Sequence, residues 1–318
     1  MTAPVPTLPE PVAFPRAAAA VLAPVTRWVM RHWPRRLPGL GRYRLAAALH
    51  RRVAPSAPRV DARTSWGARM RCDLRDLVQS RIYYFGVWEP NLTRLLRRRL
   101  RPGDVFVDVG ANVGYFSLLA SRLVGPNGSV VAIDASPAMY GLLRENVARN
   151  DLTNVRTVNA AVSDREGVLA VYAGPPDNRG STSTRADRGG SFEAEVRAAP
   201  LLSLLTPEER ARVRLLKIDV EGAELPLLRD LLANLDSFPP AMEFVVELSP
   251  AALEEGGMPV GELLRRFAER GYHWYTLEND YDVHQYFDGG ARPAERGRTD
   301  PTAQVDVVFS REDAAVLD

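Results

Sequence analysis

The sequence is short of cysteine and of long apolar segments, and both shortages limit what the protein can be. Cys72 is the only cysteine among 318 residues, so a disulfide within the chain and a multi-cysteine zinc site are excluded. No apolar run approaches the roughly 20 residues that span a bilayer, and the apolar segment 17–25 lacks the preceding basic region of a signal peptide. We therefore expect a cytoplasmic protein with no membrane span and no structural zinc.

Lysine is equally scarce, and the basic residues are unevenly distributed. Lys217 is the only lysine, because arginine supplies 40 of the 41 basic side chains. Residues 1–101 hold 20 arginines and 5 acidic residues, a net charge of +15, whereas residues 102–318 hold 21 basic and 34 acidic residues. A basic front can attract nucleic acid, anionic lipid or an acidic substrate, or it can dock on the acidic remainder of the chain. We favour the last interpretation.

The first 80 residues are predicted to form an N-terminal appendage to a catalytic domain over residues 81–318. Residues 1–15 are rich in proline and are expected to be disordered. Residues 26–55 are predicted to form one or two basic helical pieces, broken at Pro34 and Pro38. Such pieces can lie on a membrane surface, but we favour a cap packed on the domain. The predicted apolar anchors of this cap are Trp28, Trp33 and Leu40.

From residue 102 onward, predicted strands and helices alternate, which is typical of a parallel sheet covered on both faces. The predicted strands are 105–109, 129–133, 155–161, 213–218, 244–248, 274–277 and 305–309, and the predicted helices are 115–123, 137–150, 224–235 and 260–270. A hairpin is expected within 164–173. The loop 278–301 shows no convincing helix, so the last strand is expected to run antiparallel at one side of the sheet. The predicted fold is α/β, a doubly wound, mostly parallel, seven-stranded Rossmann-like sheet.

Residues 108–114, Asp-Val-Gly-Ala-Asn-Val-Gly, follow the first strand and open a helix, so main-chain amides there can face a ligand. A dinucleotide fingerprint requires glycine where Asn112 stands, and this side chain would obstruct a pyrophosphate. Asp108 is expected to point its carboxylate at the pocket, which repels a diphosphate and suits an ammonium group. A ligand with an amino acid and a nucleoside but no phosphate fits both features, and S-adenosylmethionine is such a ligand.

Asp134 closes the second strand, where an acidic side chain can accept both hydroxyls of a ribose. Ala161 and Val162 end the third strand and are small enough for a slot that holds an adenine ring. Glu89, just ahead of the first strand, is a further residue expected to touch the cofactor. The predicted cofactor-binding residues are Glu89, Asp108, Gly110, Ala111, Asn112, Gly114, Tyr115, Asp134, Ala135, Ala161, Val162 and Asp219.

Two stretches, residues 102–117 and residues 216–224, resemble the FkbM-type family of class I S-adenosylmethionine-dependent methyltransferases. The resemblance runs from about residue 84 to about residue 248. Its other matching residues are Trp88-Glu89-Pro90, Glu145-Asn146 and the segment 178–183. The resemblance implies a class I methyltransferase fold and O-methylation of a hydroxyl, on a sugar or a secondary metabolite. The acceptor is otherwise left open.

Lys217, Asp219 and Glu221 are the predicted catalytic residues, because the strand that ends with them is expected to face the methyl group. Desolvation could lower the pKa of Lys217 enough for it to act as a general base. The alternative is a structural ion pair of Lys217 with Asp219 or Glu221. Further residues weighed for the acceptor site are His273 and His284 as bases and the polar segment 177–184 as a cover.

A second open alternative concerns metal. Asp219, Glu221, Glu224 and Glu247 form an acidic group that could hold Mg²⁺, since carboxylates are its usual ligands. The family resemblance does not require a metal, and we favour catalysis without one.

Other functions are weighed against a methyltransferase. An NAD-dependent oxidoreductase on a similar sheet is opposed by Asn112 and Asp108. A nucleic-acid methyltransferase would suit the arginine-rich front, but the fourth strand ends in Asp219-Val220-Glu221-Gly222 and not in the Pro-Pro-aromatic turn associated with base methylation. A non-catalytic module that only binds S-adenosylmethionine is opposed by the intact turn. We expect a small-molecule hydroxyl acceptor.

Overall fold

The N-terminal region folds into helical segments followed by a β-hairpin. The computed structural model describes residues 15–32, 47–56, 59–279, 286 and 291–317. Helix α1 is Arg16–His32, residues 47–53 are helical, and strands β1 (Arg59–Arg63) and β2 (Arg69–Asp73) pair antiparallel. The predicted start of the helical region at residue 26 is wrong by ten residues, because α1 begins at Arg16 and continues through Pro24.

Packing of α1 also differs from the prediction. Trp28 is 62% exposed, and Val21 and Val25 on the same helix face are also exposed, so Trp28 is not the buried anchor that was predicted. Ala23 and Met30 are buried instead and belong to the apolar core on one side of the main sheet. The other predicted anchors, Trp33 and Leu40, and the predicted breaks Pro34 and Pro38 lie outside the described residues, as do residues 1–14.

The central sheet confirms the predicted fold class. Its parallel strands are β3 (Val105–Val109), β4 (Ser129–Asp134), β5 (Val155–Asn159), β9 (Val213–Ile218) and β10 (Glu243–Leu248). The strands that complete it are β11 (His273–Leu277), β12 (Ala294–Arg296), β13 (Val305–Ser310) and β14 (Val316–Leu317). The order across the sheet is β14-β12-β11-β13-β10-β9-β3-β4-β5.

Helices cover both faces of this sheet. They are α2 (Leu77–Phe85), α3 (Pro90–Arg99), α4 (Tyr115–Val124), α5 (Pro137–Ala148), α6 (Leu201–Leu204), α7 (Pro207–Arg210), α8 (Glu224–Ala233), α9 (Pro250–Glu255) and α10 (Val260–Glu269). Sequence signals set several of their starts: α5 has Pro137 in its first turn, and the Ser136 side chain accepts a hydrogen bond from the Met139 amide.

Alternation along the strands explains the two cores. Val105, Val107 and Val109 pack on one face of the sheet, while Phe106 packs on the other. All five residues of β3 are buried, as expected for a central parallel strand. The carboxyl ends of β3, β4, β9 and β10 therefore meet at one edge of the sheet, where the motifs lie.

The last long strand runs antiparallel, as predicted, but it is not at the side of the sheet. β13 lies between β10 and β11 and pairs antiparallel with both. The loop predicted over 278–301 contains the short strand β12, which pairs with β11, and β14 then pairs with β12. These two short strands extend the sheet beyond the seven predicted.

A small second sheet interrupts the alternation after β5. It joins β6 (Ala161–Val162), β7 (Gly167–Ala173) and β8 (Ser191–Ala199) in the order β6-β8-β7. The hairpin predicted within 164–173 is therefore wrong, because β7 is a single strand whose antiparallel partner is β8. The segment between them, residues 174–190, is thereby brought back toward the main sheet. None of the described helices is long and apolar enough to cross a membrane.

Candidate active site

One cavity of about 300 Å³ opens at the carboxyl edge of the main sheet. It lies where β3, β4, β9 and β10 end, which is the usual ligand position of an open α/β sheet. Nine residues of the predicted site line it: Glu89, Gly110, Asn112, Asp134, Ala135, Ala161, Val162, Asp219 and Glu221.

The turn after β3 depends on Gly110. Its φ of 77° is in the left-handed region, and a Cβ there would lie 1.8 Å from the main-chain oxygen of Asp219. The close approach arises because the Asp219 amide donates a hydrogen bond to the Val109 carbonyl oxygen, 3.0 Å away. Only glycine fits both constraints, so this motif residue sets the distance between the carboxyl ends of β3 and β9.

Asp134 is held at the end of β4 by main-chain donors. Its carboxylate accepts hydrogen bonds from the amides of Asn112 (2.7 Å) and Ser136 (2.9 Å). Burial raises the pKa of Asp134 to about 7, although these two hydrogen bonds act in the opposite direction. A carboxylate offers about four acceptor positions, so acceptor capacity remains for a ligand that donates hydrogen bonds.

Lys217 lies beneath the cavity floor and not in the lining. Its Nζ is 2.9 Å from Asp219 Oδ2 and 3.9 Å from Asp108 Oδ1, and it lies 5.6 Å from the centroid of the Phe116 ring. Burial by itself lowers the pKa of Lys217, but the charges of Asp219, Asp108 and Glu89 outweigh burial and raise it. The predicted lowering of this pKa is therefore wrong, and the ammonium form is favoured.

Carboxylates crowd the floor of the cavity. We call this group the acidic floor; it consists of Glu89, Asp219, Glu221, Glu247 and Asp306. Burial, with the neighbouring charge of Asp306, raises the pKa of Glu89 well above its usual value. Burial, with the charge of Asp219, raises the pKa of Asp306 to about 7. The acidic floor is therefore suited to a cation or to accepting a proton.

Three of the four acidic residues considered as a metal site converge. Ligand oxygens of Asp219, Glu221 and Glu247 all lie within 4.8 Å of one another. Glu224 is excluded from this group, because its Oε1 accepts a hydrogen bond from the Gly222 amide at 2.6 Å and its side chain does not line the cavity.

The polar segment 178–184 covers the cavity. Ser183 donates a hydrogen bond from its hydroxyl to the Glu221 carbonyl oxygen, 2.9 Å away, and pairs through its backbone with Tyr172. The Arg179 amide donates to Asp76 at 2.9 Å, and Gly180 packs on the Asn112 side chain. These contacts attach the segment to four separate parts of the chain, so it forms part of the cavity wall.

Several predicted residues lie outside the lining. Ser117 donates a hydrogen bond to Asp108 at 2.5 Å, so this carboxylate faces Ser117 and Lys217 and does not point into the cavity. A Cβ on Gly114 would lie 2.6 Å from Leu143, which indicates a packing role. The predicted residues that do not line the cavity are Asp108, Ala111, Gly114, Tyr115 and Lys217.

Tyr115 was predicted to lie at the site and His273 was weighed for it, and both lie away from the cavity. Tyr115 is buried, with its hydroxyl 3.2 Å from Thr93 Oγ1 and near the Trp66 indole. His273 begins β11, and its Nδ1 is 2.6 Å from an Arg296 nitrogen, away from the carboxyl edge where the site lies. His284 lies outside the described residues.

Sequence reasoning missed the part of the lining that comes from distant segments. Leu77 and Val78 come from α2 and Gln304 precedes β13. Asp306, on β13 itself, does not line the cavity but acts on the charge of Glu89. No local pattern marks these residues. An available signal was the placement of Asp306 in an otherwise apolar strand, because a buried carboxylate requires partners.

Comparison with family models identifies one family for this chain. Residues 108–274, more than half of the chain, match the model of the methyltransferase FkbM domain. The 31-O-demethyl-FK506 methyltransferase FkbM of Streptomyces tacrolimicus is 30% identical over 47% of this chain and 72% of its own length. Methyltransferase sdnD of Sordaria araneosa is 31% identical over 40% of this chain. The match spans 61% of sdnD's length, less than two thirds.

Solved structures resemble the chain more distantly. An S-adenosylmethionine-dependent O-methyltransferase from Thermotoga maritima is 14% identical, with a TM-score of 0.39 over 80% of this chain and 77% of that one. TYW2 of M. jannaschii in complex with AdoMet is 14% identical, with a TM-score of 0.39 over 80% and 85% of the two chains. At such values the likeness carries no functional argument. The family match, the FkbM relative and the motifs on β3 and β9 establish that the chain belongs to the FkbM methyltransferase family.

Proposed function

We propose that the protein is an S-adenosylmethionine-dependent O-methyltransferase that acts on a hydroxyl of a sugar or a secondary metabolite. The observation that carries the proposal is one cavity that joins Asp134, with its unused acceptor positions, to the acidic floor. The name of the Streptomyces tacrolimicus relative, which specifies a 31-O-demethyl substrate, supports transfer to oxygen.

The residues that line the cavity fit this cofactor and disfavour a dinucleotide. Asp134 can accept ribose hydroxyls, and the small residues Ala160, Ala161 and Val162 border the space beside it, where a flat base would fit. The Asn112 side chain occupies the position that a pyrophosphate requires and is held against Gly180. Carboxylates around the cavity attract a positively charged ligand and repel phosphates.

The cofactor supplies an electrophilic methyl group, so the chain has to align the acceptor and receive its proton. We assign proton acceptance to the acidic floor, where Glu89 lines the cavity and has a raised pKa. Asp219 and Glu221 line the same wall and would orient the hydroxyl. Lys217 stays protonated and fixes Asp219 and Asp108, which makes it a positioning residue.

We favour transfer without a metal. A divalent cation held by Asp219, Glu221 and Glu247 would orient and acidify the acceptor hydroxyl. The Lys217 ammonium already lies 2.9 Å from Asp219 Oδ2 and competes for that carboxylate. Activity that survives EDTA is the expected result, whereas activity that is lost with EDTA and restored by Mg²⁺ would reverse this preference.

The test of the proposal is a pair of titrations followed by a transfer assay. Isothermal titration calorimetry should detect S-adenosylmethionine and S-adenosylhomocysteine at a single site and no comparable binding of NAD. Incubation with methyl-labelled S-adenosylmethionine and fractionated metabolites should then label a compound whose methyl group is on oxygen. Tight NAD binding without S-adenosylmethionine binding would contradict the proposal, and cofactor binding without transfer to any fraction would favour a non-catalytic module.

A further inference from the structure

A second cavity adjoins the first on the side of the N-terminal region. It measures about 320 Å³ and shares two lining residues, Leu77 and Asn178, with the cavity of the proposed active site. We call it the arginine chamber; its lining residues that can carry charge are His50, Arg51, Arg75, Arg81 and Asp177. The remaining lining consists of the apolar residues Met30, Ala47 and Leu77, the hydroxyls of Ser80 and Tyr84, and the amide of Asn178.

Positive charge predominates in this chamber. Three arginines line it against one carboxylate, that of Asp177. The Arg75 guanidinium is engaged by Asp73 through two hydrogen bonds of 2.9 and 2.6 Å. Arg51 is exposed and forms no ion pair with any residue in the described part of the chain, so its charge is available to a ligand.

His50 lies in the chamber as a neutral imidazole beside the arginines. Its Nδ1 lies 3.1 Å from the Tyr84 hydroxyl, and its ring is edge-on to the Tyr84 ring. Burial, together with the charges of Arg81 and Arg51, lowers the pKa of His50 to about 4. A neutral imidazole and a phenol hydroxyl add hydrogen-bonding groups to the arginines without adding negative charge.

We propose that the arginine chamber binds an anionic group of the methyl acceptor, such as a phosphate, while the acceptor hydroxyl lies on the acidic floor. This inference rests on the proposed function, because it treats the two adjoining cavities as one acceptor-binding cleft. The carboxylates of the acidic floor repel an anion and the arginines attract it, so the charges orient the acceptor in one direction. Leu77 and Asn178 lie between the two ends.

Calorimetric titration with inorganic pyrophosphate, at constant ionic strength set with chloride, tests the chamber directly. We expect saturable binding to the wild-type protein and at least about tenfold weaker binding to Arg51→Gln/Arg81→Gln, since each substitution removes a charge-assisted hydrogen-bond donor. Arg165→Gln is the matched control, because the Arg165 side chain is 86% exposed and does not line either cavity. No saturable binding, or equal binding to all three proteins, would overturn the proposal.

A second readout protects the test against a variant that fails to fold. Pyrophosphate should raise the pKa of His50 in the wild-type protein, as followed by histidine NMR, because an anion offsets the arginine charges. If S-adenosylhomocysteine displaces pyrophosphate and the pKa of His50 does not change, the pyrophosphate binds at the cofactor turn. That result would overturn the proposal. S-adenosylmethionine is titrated in parallel to separate the chamber proposal from the proposed function. If pyrophosphate binds and S-adenosylmethionine does not, the result contradicts the proposed function and not anion binding by the chamber.

Discussion

The acidic floor and the arginine chamber are adjoining ends of one cleft, but they are built in different ways. In the acidic floor Glu89, Glu247 and Asp306 are 6%, 7% and 8% exposed, while Asp219 and Glu221 are half-buried. The arginine chamber lies among α1, α2 and the helical residues 47–53, and its Arg51 and Arg75 side chains are exposed. Buried charges are strongly coupled to their partners, whereas exposed charges contribute little to stability. Substitutions in the acidic floor should therefore alter folding and pH dependence, and those in the chamber only ligand binding.

The largest effect is expected when the cation beneath the acidic floor is removed. Lys217→Met leaves the carboxylates of Asp108 and Asp219 without their ammonium partner, and we expect a loss of about 3–5 kcal/mol in the free energy of unfolding, measured with urea. Arg51→Gln is the control at the chamber, where less than about 0.5 kcal/mol should be lost. Equal stability losses in the two variants would remove the contrast between the ends.

The next effect is a pH dependence of stability at Asp306. Because burial raises the pKa of Asp306 to about 7, the folded state binds its proton more tightly than the unfolded state. The stabilisation is full below about pH 4, the usual range of an aspartate, and is lost as the pH rises to 7. Asp306→Asn should remove up to about 1.4 kcal/mol per pH unit of this decline. Parallel stability profiles for variant and wild type from pH 4 to 7 would contradict this.

A smaller effect is expected on cofactor affinity at Asp134. In Asp134→Asn an amide NH₂ replaces one of the two oxygens, of which Oδ2 accepts from the Asn112 amide and Oδ1 from the Ser136 amide, and a hydrogen-bond partner of the cofactor is weakened. We expect S-adenosylmethionine to bind about 10–100-fold more weakly by calorimetry, the equivalent of a charged hydrogen bond. Asp306→Asn, which lies across the acidic floor from β4, should retain more of the affinity.

The smallest effect should appear where the covering segment lies between the two ends. Gly180→Ala places a Cβ 2.2 Å from the Asn112 Nδ2, and this flexible side chain must move. We expect cofactor binding to weaken by only a few fold, on the order of 1 kcal/mol for a shifted side chain. Gly167→Ala has no atom within 4 Å of its added Cβ and serves as the control. Equal affinities for the two variants would show that the segment does not limit the site.

The main sheet could be predicted because its strands carry local signals. β3, β9 and β10 are mostly apolar runs, and Asp108, Lys217 and Glu247 each stand next to the last residue of their strand, close to the edge where the cavity lies. The antiparallel direction of β13 followed from the absence of a helix before it, but its position between β10 and β11 did not, since strand order depends on tertiary packing.

The site was predicted where main-chain geometry determines function and missed where distant side chains meet. Gly110 and Asp134 occupy turn and strand-end positions that the motif specifies, and both line the cavity. Asp108 was predicted to line the cavity because it is the first residue of the same motif. Its carboxylate instead contacts Ser117 and Lys217 below the floor. The pKa of Lys217 was misjudged because the charges of Asp219 and Asp108, joined by that of Glu89 from 128 positions earlier in the chain, outweigh burial.

The central claim is that a phosphate-free, positively charged nucleoside occupies the cavity beside Asp134. A crystal structure of the protein with S-adenosylhomocysteine is the most direct test. The account predicts ribose hydroxyls within hydrogen-bond distance of the Asp134 carboxylate and the adenine ring beside Ala160, Ala161 and Val162. A nucleoside bound elsewhere, or a diphosphate lying against Asn112, would contradict it.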